Sequence, residues 1–205
     1  MNNQDFDKEF FQRSWGKDGY YEEFSYGVGI KRVLNECLYP FLDPNKTALE
    51  IGCGGGTFTQ FMQGNFKTLF GLDVIKMPER FSKYKQFKFI ELPDRTYECL
   101  GVNDNSIDFA FSYNVFCHLS NEALKSYMAD VNRVLKTGGD FIFMLSNYKN
   151  VQTKQASDKF GNLLPMGHFY QDDRTLDFII GKGWGIVSRS MIQDHRDTII
   201  HLRKL

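Results

Sequence analysis

Gly52, Gly54 and Gly56 stand close together in the stretch TALEIGCGGGTFT, between a short apolar run and the start of a helical pattern. Without a Cβ, glycine lets a ligand approach the backbone closely. A helix that starts just after such a turn also offers N–H groups with no partner of their own. Glu50 lies just before the first glycine. A carboxylate so close would repel a pyrophosphate but not a ligand carrying an ammonium group. Asp73 closes the next apolar run, FKTLFGLDV, 17 residues beyond Gly56. An acid at the end of a second strand can accept hydrogen bonds from both hydroxyls of a ribose.

A ribose without a phosphate, combined with an amino group, points to S-adenosylmethionine rather than to a dinucleotide. Two histidines extend the chemistry. His118 follows the apolar run SIDFAFSY, and His168 lies in PMGHFY. Imidazole takes up and gives off protons near neutral pH, so either one is a candidate general base toward an acceptor. His195 and His201 fall in a turn and a terminal strand and are read as structural or solvated.

The elements that must position these residues alternate along the chain. TALEI, FKTLFGLDV, FKFIEL, SIDFAFSY and DFIFMLS read as strands. Between them, TFTQFMQG, PERFSKY and SNEALKSYMADVNRVLK read as helices, the last with Ser120 as N-cap and TGG as its stop. Val28 to Phe41 reads as a helix ended by Pro40, followed by DPNK as a turn. After DRTLDFIIGKG, another helix, GIVSRSMI and DTIIHLRK are strands too close together for a crossover. The pattern predicts an α/β fold: a Rossmann-like, doubly wound, mostly parallel seven-stranded sheet with a C-terminal antiparallel hairpin and N-terminal helices. Residues 147–171 form a long irregular segment after the fifth strand, where open α/β sheets bind ligands.

The stretches ALEIGCGGGTFT, LFGLDV, SIDFAFSYNVFCHLS and DVNRVLKTGGDFIFM occur in this order over about residues 46–145. Together they resemble the class I S-adenosylmethionine-dependent methyltransferases, with KTGG standing where that family more usually has KPGG. The resemblance implies a role for each matching position. The turn from Glu50 through Gly52, Cys53 and Gly54 would lie under the methionine part of the cofactor. Asp73, with Val74 beside it, would bind the ribose. Asp94, with Arg95 beside it, would reach the adenine amino group. Tyr113 and Asn114 would line the methionine side. The N-terminal segment, with Trp15, Tyr20 and Tyr21, would close over the cofactor as a lid. The implied organisation is one domain over 1–205: a helical lid at 1–45, a cofactor core at 46–146, an acceptor loop at 147–171, and a helix and hairpin at 172–205.

Bulk properties narrow the partners. The chain has 205 residues, with 25 Lys plus Arg balanced by 25 Asp plus Glu. No overall field draws in nucleic acid or an anionic membrane, and no apolar run approaches the roughly 20 residues of a membrane span. The N-terminus, MNNQDFDKEF, is polar and unlike a secretory signal. Cys37, Cys53, Cys99 and Cys117 are widely spaced and contain no CxxC pair, which suggests reduced thiols in a cytoplasmic protein. No acidic cluster follows the fourth strand, so no metal is expected.

The reading is methyl transfer from S-adenosylmethionine to a small hydrophilic acceptor, leaving S-adenosylhomocysteine. The two histidines favour an oxygen acceptor such as a sugar or a surface-polysaccharide precursor, in a monomer or homodimer. An N-methyltransferase, a catalytically silent cofactor-binding subunit and a nucleotide-dependent oxidoreductase stay open. Thr57 in place of the third glycine of GxGxxG counts against the last.

Overall fold

The computed structural model describes residues 28–76, 79–81, 83–146, 163–164, 168–169, 171, 173–191 and 197–205. Strands β1 (Asp43–Ile51), β2 (Phe66–Asp73), β3 (Phe87–Glu91), β4 (Ile107–Ser112) and β5 (Leu135–Ser146) run parallel to one another. β8 (Trp184–Met191) and β9 (Asp197–Lys204) complete a seven-stranded sheet in the order β3-β2-β1-β4-β5-β9-β8. β9 is antiparallel to both β5 and β8, so the expected terminal hairpin is present with its second strand innermost. β4 and the second half of β5 are near-continuous apolar runs because both their faces are covered.

One face carries α3 (Asn121–Val134) and α4 (Asp173–Ile179), which pack on each other. α3 buries Ala123, Leu124, Tyr127, Met128, Val131 and Val134, a stripe at helical spacing. The Ser120 hydroxyl accepts the Ala123 N–H at 3.3 Å, which is the expected cap. On this face Phe116 stacks on Tyr127 and meets Phe141 and Phe143. The other face carries α1 (Val28–Val33) and α2 (Thr59–Met62) over Phe66, Phe109, Phe111 and Met144. Each such large side chain, taken fully out of water, contributes about 1.5–3 kcal/mol.

Several elements differ from the sequence reading. The helix expected from Val28 to Phe41 is an α-turn, a π-turn at Leu34–Leu38 and a 3₁₀ turn at Tyr39–Phe41. Pro40 has no N–H to donate, so a regular α-helix does not run through it. The helix after the glycines is one turn long, and PERFSKY supplies only a 3₁₀ turn, Glu79–Phe81. β1 begins earlier, at Asp43, with an irregularity between Asp43 and Thr47. There Asp43 Oδ1 accepts the Asn45 N–H, as in a turn. The segment read as an irregular loop contains a short antiparallel ribbon, β6 (Leu163–Leu164) with β7 (His168–Phe169).

Candidate active site

The C-terminal ends of β1, β2 and β4 lie side by side, and one cavity opens above them. Gly52, Gly54, Asp73, Val74, Asp94, Arg95, Tyr113, Asn114 and His118 all line it, as do Leu92, Tyr97, Val115 and Tyr127. Residues far apart in sequence thus share one wall, because strand order places β1 between β2 and β4.

The glycine turn is tied to β2. The N–H groups of Gly52 and Cys53 both donate to the Leu72 carbonyl, at 2.7 and 3.2 Å. Asp73 Oδ2 accepts the Gly54 N–H at 2.6 Å, and Oδ1 accepts the Ile75 N–H at 2.9 Å. A carboxylate can accept about four hydrogen bonds, so these two amides do not exhaust it. The Asp73 carbonyl also accepts the Leu92 N–H at 2.7 Å, which brings the segment bearing Asp94 and Arg95 alongside.

The glycines have different reasons to be glycine. A Cβ on Gly52 would collide with Val115, and one on Gly56 would sit 2.3 Å from the Phe81 ring. A Cβ on Gly54 would meet only Asp73 Oδ2, at 3.9 Å. Packing therefore explains Gly52 and Gly56. Gly54, with φ +48°, faces open cavity.

Around the rim, Arg95 and Asn114 hold positive φ without being glycine, at 55° and 58°. Such backbone is uncommon and clusters at functional sites. Asn114 Oδ1 accepts a weak bond from the Cys117 thiol at 3.7 Å. The Tyr127 hydroxyl donates to the Thr96 carbonyl at 3.2 Å, and the Tyr97 ring meets Tyr127 edge-on. These bonds make an aromatic wall from the β3–β4 connection and α3. His118 ends a 3₁₀ turn, Phe116–His118, and is buried although it lines the cavity.

Two residues of the turn expected under the methionine part, Glu50 and Cys53, have buried side chains. Glu50 is buried on the α2 face of β1, where Oε2 accepts the Thr59 hydroxyl at 2.6 Å. It does not line the cavity. Alternation along the strand turns it away from the face that carries Leu49 and Ile51. Burial, with a smaller contribution from nearby Asp73, raises its pKa to about 8 despite the Thr59 bond. Cys53 is likewise buried, against Phe81, and burial pushes its thiol well above the ordinary range. Trp15, Tyr20, Tyr21 and His195 lie outside the described residues. Of His168 the strand is described: β7 packs beside the 3₁₀ turn that carries His118.

Sequence reasoning missed Val115, Tyr97, Tyr127 and Phe81. Tyr127 falls on the apolar stripe of α3 and reads as core, so its spacing carries no sign of a cavity.

Comparison with known proteins agrees with this geometry. The family model described as "Methyltransferase domain" matches residues 49–143. The chain is 33% identical over 140 residues to phosphoethanolamine N-methyltransferase 1 of Triticum aestivum, covering 58% of this chain and 28% of that protein. The N-methyltransferase NodS of Bradyrhizobium japonicum WM9, crystallised with S-adenosylhomocysteine, superposes with a TM-score of 0.73. The identity is 16%, with 96% and 97% of the two chains covered. Residues 49–143 thus match a methyltransferase-domain family, and the chain shares the fold of a methyltransferase crystallised with S-adenosylhomocysteine.

A geranyl diphosphate C-methyltransferase from Streptomyces coelicolor A3(2), also with S-adenosylhomocysteine, shares the methyltransferase fold at a TM-score of 0.63. Its identity is 11%, with 86% and 80% of the chains covered. Similar folds thus serve more than one kind of acceptor atom. The chain spans less than half the length of the curated relatives it matches.

Proposed function

We propose that this chain binds S-adenosylmethionine in the cavity above β1, β2 and β4 and transfers its methyl group to an oxygen of a small hydrophilic acceptor, such as a sugar. One observation carries the reading: the Gly54 backbone is open toward the cavity and is held there by Asp73. The residues fit the cofactor. Asp73 has acceptor capacity for ribose hydroxyls. Asp94 and Arg95, with Tyr97 and Tyr127 as apolar walls, would meet the adenine. Asn114 and Tyr113, which line the same cavity, would meet the methionine part.

When bound, the cofactor supplies a methyl group on a sulfonium, ready for in-line displacement. The chain supplies alignment and exclusion of water. His118 lines the same cavity, on the turn beside β7, and serves as the base that takes the proton from an acceptor hydroxyl. His168, on β7, is the second candidate. The four free cysteines, all buried, support work in a reducing cytoplasm.

A second reading, methylation of nitrogen, is favoured by the similarity to two proteins named as N-methyltransferases. An amine presents its own lone pair and has less need of a base.

Calorimetric titration of the chain with S-adenosylmethionine, S-adenosylhomocysteine and NAD tests the cofactor. Binding of the first two and not NAD is expected, and NAD binding alone would overturn the reading. A labelled-methyl screen against sugar nucleotides and phosphorylated amines then separates oxygen from nitrogen.

A further inference from the structure

Gln171 is the last residue of the segment that follows β5, and its side chain is fully buried. Its Oε1 accepts the N–H of Ser146, the last residue of β5, at 2.9 Å. Its Nε2 donates to the Phe116 carbonyl at 2.7 Å and to the Leu119 carbonyl at 3.4 Å. The partners fix the orientation of the amide. Ser146 offers only a donor and the two carbonyls are only acceptors, so a flipped amide would break all three contacts. A glutamate in its ionised form would break the two donated ones.

The three partners define a junction. The chain leaves the sheet at Ser146, and the Gln171 side chain, just ahead of α4, bonds back to that exit point. The same amide holds the carbonyls on both sides of His118. The His118 N–H is itself bonded to the Val115 carbonyl at 2.9 Å. The His118 backbone is thereby pinned from both ends of its turn.

We propose that Gln171 is a positioning residue: its amide locks the base of the acceptor-side segment to the turn that carries His118. The proposal rests on the reading that His118 faces the acceptor, but it concerns a junction that can be observed without any acceptor. It also leaves the cofactor end alone, since none of its bonds involves Gly54, Asp73 or Asp94.

The test starts with the unaltered chain. By NMR, the Gln171 side-chain NH₂ protons and the Ser146 amide should exchange with solvent at least about tenfold more slowly than exposed amides. Solvent-like exchange at Gln171 would overturn the proposal. Two variants follow. Gln171→Leu keeps the bulk and loses the bonds. Gln171→Glu keeps the bond from Ser146 in either form and one donated bond when protonated, because the neutral acid has a single O–H for the Phe116 carbonyl. In Gln171→Glu, Ser146 keeps its acceptor oxygen at either pH, and protection of the Leu119 amide, which donates to the Phe116 carbonyl, should be near that of the parent at pH 5. It should fall at least about tenfold relative to the parent at pH 8. The His118 ring signals should shift with it, while S-adenosylhomocysteine affinity should change less than about threefold.

Uniform loss of protection across all strands in both variants would assign Gln171 to general stability and overturn a positioning role. Unchanged protection at Ser146 and Leu119 in Gln171→Leu would overturn it as well. If S-adenosylhomocysteine failed to bind the unaltered chain, the cofactor reading would fail, while the exchange data would still decide the role of Gln171.

Discussion

Asp73 holds Gly54 in place: its Oδ2 accepts the Gly54 N–H at 2.6 Å across the mouth of the cavity. The acid assigned to the ribose therefore also sets the turn assigned to the methionine part. Removing it disturbs both. Asp73→Ala should weaken S-adenosylhomocysteine binding by about 1.5–3 kcal/mol, the range for hydrogen bonds to charged groups. Asp73→Asn keeps one acceptor oxygen and should lose less. Calorimetry on both variants checks the order, and equal affinity across all three proteins would remove Asp73 from the site.

The glycines should separate in a paired experiment. Gly54→Ala meets no packing obstacle, and its positive φ costs about 1–2 kcal/mol. Larger side chains there, as in Gly54→Val, should abolish cofactor binding with the fold intact. Gly56→Ala drives a methyl into Phe81 and should cost about 2–4 kcal/mol of stability. Denaturant melts and ligand titrations on the same samples distinguish the two effects.

Glu50 gives a pH prediction. Its folded pKa of about 8 lies above its ordinary value of 4.5. Below the ordinary value both folded and unfolded chains are protonated, so nothing is lost. Between about 5 and 8 the unfolded chain releases the proton and the folded chain keeps it. Stability then falls by up to about 1.4 kcal/mol per pH unit. Above 8 the loss levels off. Glu50→Gln removes this titration while retaining an oxygen for the Thr59 hydroxyl. The stability difference between variant and parent should therefore grow in the variant's favour from pH 5 to 8. A constant difference would show that Glu50 ionises as an exposed glutamate does.

His118→Asn tests the acceptor side once a substrate is in hand. S-adenosylhomocysteine affinity should hold, and kcat should fall by about 10²–10⁴-fold. The rising limb of the pH–rate profile should vanish with it. A change confined to the acceptor's KM would make His118 a binding group rather than a base.

The succession of strands and helices and several residues of the cavity were legible in sequence for a physical reason. Alternating apolar runs and helical stripes are local patterns, and Gly54, Asp73, Asn114 and His118 all sit where such a pattern ends. Glu50 was legible as a special residue but not in its direction. Which side of β1 faces the cavity depends on the neighbouring strands and on Thr59, nine residues on. Phe81 under Gly56 and Gln171 under the His118 turn were not legible at all. Their partners lie 25 and 52–55 residues away, and neither residue type announces such a contact. The one-turn helix Thr59–Met62 was overestimated because its apolar spacing continues into residues that the turn before β2 claims.

The innermost place of β9 has a consequence for synthesis. β8 is made before β9 yet borders no other strand of the sheet. On a ribosome, β5 would wait with one edge bare and β8 with no partner at all until β9 has emerged. The parallel half of the sheet, with the glycine turn, Asp73 and the His118 turn, can close before that moment, but the far half sets in a single late event. Partly synthesised chains are then most exposed to wrong pairing along the free edge of β5, whose Phe141, Phe143 and Leu145 are among the most apolar residues of the core.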